Sequence, residues 1–185
     1  MYYETRTIAK LVYQGTSKET IKIQVVEENI LQLPNKDRAQ RFYMEIIKRL
    51  SYLDDYLLEA FVISDSLTSK AILLYTLLKR DKLFFEWMRE VVFDKFLILD
   101  FSLSKRETEY FMVQKSEQSD AINKWTESTK SRLIDGYHQV LRDSEMLVQE
   151  SNYLQPLIID SRVESYLVQY KEKKIVEVLL GEFLK

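Results

Sequence analysis

From Lys36 onward the apolar residues Ala39, Tyr43, Ile46, Ile47, Leu50 and Leu53 recur at steps of three and four, the signature of one helical face. This predicts a helix over Lys36–Leu50. Its polar side carries Lys36, Arg38, Arg41, Lys48 and Arg49 against Asp37 and Glu45 alone. Upstream, Thr16-Ser17-Lys18-Glu19 has capping-box spacing and opens a second helix that runs to about Asn29. Within it Ile21, Ile23 and Val25 alternate with Lys22 and Gln24, a strand-like period of two. The capping signal and the lack of a partner strand decide for helix. Between the two, Leu33-Pro34-Asn35 breaks the chain, because Pro34 disfavours helix at Leu33 and Asn35 is a good N-cap. A helix pair whose second member is amphipathic and basic at its start has the outline of a helix-turn-helix DNA reader. The bland alternative is a solvated basic face on an ordinary core helix.

The same periodicity fills the rest of the chain. Tyr3 to Gln14 reads as a short helix closed by Gly15, and Asp54 caps one bearing Leu57, Leu58, Phe61 and Val62. Ser64-Asp65-Ser66 then interrupts, placing a boundary between an N-terminal helical unit, residues 1–63, and a C-terminal bundle, residues 64–185. Leu67 to Lys79 is apolar nearly all round, as a central bundle helix should be. Lys82 to Leu99 spaces Phe84, Trp87, Met88, Val91 and Val92 as core positions, and Ser104 with Glu107 caps the next helix. After the polar stretch Ser116 to Ser131, a stripe of Leu133, Ile134, Tyr137, Val140 and Leu141 follows a Thr126 or Ser128 cap. Pro156 interrupts. Ser161 with Glu164 then opens a helix through Tyr170, and Ile175 to Phe183 ends the chain amphipathically.

Composition agrees with an all-α, compact helical bundle whose N-terminal unit is helix-turn-helix-like. The 185 residues are 46% hydrophobic and 30% charged, and only 3 Gly and 2 Pro break them. A net charge of -2 means that any nucleic-acid site must be a local patch rather than a basic domain. No run approaches the 18 or so uninterrupted apolar residues of a membrane span, and the start of the chain lacks the pattern of a signal peptide. With no cysteine, the expectation is a reducing cytoplasm and no membrane partner.

Absent chemistry narrows function further. One histidine, His138, and no cysteine leave no zinc set, and His138 beside an apolar stripe reads as a core residue. Three scattered glycines permit neither a phosphate loop nor a dinucleotide fingerprint. The expectation is a protein without catalytic residue, metal or cofactor.

Several stretches resemble a known family. Glu4-Thr5-Arg6-Thr7-Ile8-Ala9-Lys10-Leu11, Glu27-Glu28-Asn29-Ile30-Leu31-Gln32, and Arg41 followed by Lys48-Arg49-Leu50-Ser51-Tyr52-Leu53 are similar to the start of BrxA proteins. Trp125-Thr126-Glu127-Ser128-Thr129-Lys130, with Leu133 beyond, matches their later half. BrxA is a small component of bacteriophage exclusion (BREX) defence systems. The resemblance implies a compact all-helical fold, double-stranded DNA as ligand, other defence proteins as partners, and no catalysis. On the residues, DNA contact is expected at Arg38, Arg41, Lys48 and Arg49 through phosphate, with Lys36 and Gln40 near base edges. A second basic set, Lys124, Lys130 and Arg132 (with Arg142), extends the track. The alternative is a helical adaptor that docks other defence proteins without touching DNA.

Overall fold

The structure is a computed structural model that describes residues 1–184. About 70% of the chain is helical. The elements are α1 Tyr2–Tyr13, α2 Lys18–Val26, α3 Lys36–Leu50, α4 Asp55–Ile63, α5 Ser66–Arg80 and α6 Lys82–Trp87, which continues through a π-helical segment Met88–Phe93 into α7 Asp94–Leu97. Then come α8 Lys105–Gln118, α9 Asp120–Asn123, α10 Glu127–Asp143, α11 Ser161–Tyr170 and α12 Lys173–Leu180. Among the described residues, extended pairing is limited to the isolated bridges Ser102–Tyr153 and Leu147–Leu154.

Local chemistry sets most of these ends. Gly15 takes φ +79, and the Gly15 and Thr16 amides bond the carbonyls of Val12 and Leu11, which closes α1 in a Schellman motif. Asn35 accepts from the Arg38 amide at 2.9 Å, and Asp54 accepts from Leu57 at 2.9 Å. Asp65 takes two amides, Leu67 and Thr68, at the start of α5. Thr126 caps α10 through the Thr129 amide. The Ser104 amide donates to Glu107 at 2.8 Å, the reciprocal half of a capping box. Two predicted caps move by one residue. Ser17, not Thr16, accepts from Thr20 at the start of α2, because Thr16 still belongs to the closing turn of α1, its amide bonded to the Leu11 carbonyl. Asp160, not Ser161, accepts from Arg162, a carboxylate being the stronger acceptor at a positive helix end.

The alternating run is helical. Ile21 and Val25, four apart, are fully buried, whereas Ile23 is 54% exposed. The centre of the molecule is α5, which packs against α3, α4, α6 and α12. One apolar cluster runs from Ile8 to Leu179 and includes Trp87, Phe61, Phe93 and Phe111. The predicted boundary at Ser64–Ser66 is the turn between α4 and α5. There Arg6 from α1 donates to the carbonyls of Val62 and Ser64, satisfying the open end of α4. The Trp87 indole donates to Thr108 Oγ1 at 3.2 Å, and Thr108 Oγ1 lies 2.8 Å from His138 Nε2. This joins α6, α8 and α10 through one buried polar thread.

Candidate nucleic-acid interface

The sequence that makes α3 a core helix also decides what it shows to solvent. At about 100° per residue, the buried Ala39, Tyr43, Ile46 and Leu50 occupy one arc, against α1, α2 and α5. Arg38, Arg41 and Lys48 fall on the opposite side, within about 80° of one another. All three are exposed, and none makes an ion pair among the described residues. Arg38 lies over the Phe42 ring at 5.4 Å, which restrains its guanidinium without neutralising it. Met44, 59% exposed, sits between them and the Gln40 side of the helix.

The remaining residues of the predicted set are placed differently. Lys36 is off this face, at the first turn, and pairs with Glu27 of the α2–α3 connector. Gln40 is half-buried. Arg49 is largely covered and donates from Nε to Glu45 at 2.9 Å, while Arg80 of α5 holds the same carboxylate oxygen. Partial burial raises the Glu45 pKa, but the hydrogen bonds from Arg80 and Arg49 outweigh it and hold the carboxyl below its ordinary value. Glu45 is therefore a clamp that fixes α3 on α5. One of the two acids opposing the basic face is thereby neutralised, leaving Asp37.

The second set stands apart. Val140, Asp143 and Ser144, at the C-terminal end of α10, line a small cavity together with Arg49 of α3. Lys130 and Arg132 lie roughly 12–20 Å along the helix from those residues. Lys130 pairs with Glu127 at 3.3 Å, while Lys124 and Arg132 are exposed and unpaired among the described residues. Arg142 reaches Asn152 at 3.4 Å.

His138 is 1% exposed, and burial, aided by the positive Arg142 and Lys105, pushes its pKa down to about 4. It is a core histidine, as its place beside the stripe predicts. Among the described residues no cluster of three or more His, Asp or Glu is arranged to hold a metal, and no helix is long and apolar enough to cross a membrane.

These features define an all-α bundle protein that carries one outward-facing basic helix beside an internally neutralised clamp. The chain belongs to the BrxA family, whose profile matches residues 1–171, and with it to BREX phage defence. A "BREX protein BrxA" of Bacillus cereus (strain H3081.97) is 27% identical over 184 residues, covering 98% of this chain and 92% of that one. Another BREX protein BrxA, of Paramagnetospirillum magneticum (strain ATCC 700264 / AMB-1), is 23% identical over 179 residues, 95% and 89% of the two chains. The fold is similar to the crystal structure of an uncharacterized protein from Magnetospirillum magneticum, with a TM-score of 0.80 and 18% identity over 98% of this chain and 93% of that one.

Proposed function

We propose that this protein is a non-enzymatic, double-stranded-DNA-binding component of its BREX system, and that the outer face of α3 makes the contact. The observation that carries the reading is the set Arg38, Arg41 and Lys48: three exposed cations on one side of one helix, with no ion pair and with Glu45 already neutralised. Cations held on a clamped helix keep their charge for phosphate and release counterions when they meet it. Lys36, paired with Glu27, and the half-buried Gln40 lie off this face, so the contact is made to phosphate rather than to base edges. The α2–α3 connector, 27–35, is longer than a tight helix-turn-helix turn, so α3 docks without the standard partner-helix geometry. Lys124 and Arg132 supply a second, separate backbone contact on a long duplex.

Mobility shift with a duplex of mixed sequence, repeated at several salt concentrations, tests this. Binding is expected to fall steeply with salt. Neutralising any one of Arg38, Arg41 or Lys48 should reduce the salt slope by about 1 and weaken all sequences alike. Changing all three to Glu should abolish the shift while helicity and melting temperature stay unchanged. A triple variant that binds like the wild type moves the contact to Lys124, Lys130 and Arg132. Absence of any shift at low salt favours the adaptor, with the basic face meeting another defence protein.

A further inference from the structure

The DNA reading leaves the opposite chemistry of α8 unused. Four of its exposed positions, Arg106, Tyr110, Val113 and Glu117, follow steps of four, three and four, so they form one stripe within about 60° of arc. Tyr110 is 65% and Val113 55% exposed. Arg106 and Glu117 make no ion pair among the described residues. Beside the stripe runs a groove of about 510 Å³ between the π segment and α8, bordered by Ile98, Arg106, Tyr110 and Gln114. Its far bank continues into Leu97-Ile98-Leu99, where Ile98 is 71% and Leu99 74% exposed. Of the acids around the groove, Lys95 bonds Asp100 and Glu107 and Lys115 bonds Glu90, while Asp94 makes no ion pair among the described residues.

The stripe reads cation, aromatic, aliphatic, anion, and laid antiparallel on itself it sets each charge against its opposite and the two apolar residues together. We infer that a second copy of this chain covers it, with the two α8 helices antiparallel about a twofold axis between Tyr110 and Val113. That axis sets Arg106 of one copy against Glu117 of the other, twice, and Tyr110 against Val113. Such an interface is isologous, the commonest oligomeric contact. A mate seated there also covers both banks of the groove. Other charged partners would match one end of the stripe, whereas a second copy matches both.

Sedimentation velocity of the full chain without DNA, across concentrations up to the order of 100 μM, tests the pairing. The wild type should shift from monomer to dimer within that range. Tyr110→Glu should raise the dissociation constant at least about tenfold with no change in the monomer's melting temperature. Arg106→Glu and Glu117→Lys should each weaken the dimer, and the two together should restore it, which no folding defect would do. Lys48→Glu, on the DNA face, should leave the dimer intact. A wild type that stays monomeric overturns the inference. So does a dimer that ignores Tyr110→Glu, or a double variant no tighter than the singles. Because no DNA is present, none of these results bears on the reading of α3.

Discussion

Because the chain holds a single histidine, its stability between pH 7 and 5 is governed by one side chain. His138 is 1% exposed, its Nε2 faces Thr108, and its Nδ1 has no partner among the described residues. Arg142 and Lys105 oppose its proton, and Asp135 and Glu107 favour it too weakly to offset burial. Its pKa is near 4 in the folded chain and 6.5 when unfolded. The depressed value means that the unfolded state takes up the proton first, so stability is full above pH 6.5 and falls as the pH drops toward 4. Linkage between these two values gives a loss of about 2 kcal/mol from pH 7 to pH 5, with a slope near 1.2 kcal/mol per unit at pH 5.5. Urea unfolding followed by far-ultraviolet circular dichroism at half-unit steps measures it, and His138→Gln supplies the control. The variant should lose most of the slope. Carboxylates such as Glu45, Asp54 and Glu107, whose pKa values are lowered in the fold, lose their contribution at lower pH and cancel in the comparison. Parallel pH profiles for wild type and variant would refute the reasoning.

Trp87→Ala should cost about 3–5 kcal/mol, because the ring is fully buried against Phe84, Tyr137 and His138 and its indole holds Thr108; equilibrium unfolding reads it. An unchanged midpoint would contradict that burial. Gly181→Ala should destabilise by about 1–2 kcal/mol from the backbone alone, since φ is +76 there. A Cβ would also stand 3.1 Å from the Phe96 ring, so thermal unfolding should fall further unless that ring shifts.

Features that a few neighbouring residues decide were legible in the sequence. Asn35 and Asp54 cap their helices as read, Thr126 rather than Ser128 caps α10, and Gly15 ends α1. Where two adjacent oxygens compete, spacing alone fails: at Thr16 and Ser17 the closure of α1 shifts the start of α2 by one residue, and at Asp160 and Ser161 the carboxylate is the stronger acceptor. The basic face of α3 was legible as a helical arc, but its distribution of free and committed charge was not. Arg80 reaches Glu45 from 35 positions away, and Lys171 reaches Asp54 from 117. Such pairs follow from packing, which periodicity does not encode. The π segment was equally hidden, because Lys82 to Leu99 keeps a helical pattern of apolar residues throughout.

That segment, Met88–Phe93, has a geometric effect on all that follows it. A π turn holds one more residue than an α turn. Were the same residues to run as plain α, with none removed, everything after them would rotate by about 100°. Lys95, now 7% exposed and bonded to Asp100 and Glu107, would swing away from both. The Leu97-Ile98-Leu99 ridge would turn with it. The wide turn thus works as an angular setting: by absorbing one extra residue it fixes the direction in which a whole bank of the surface points.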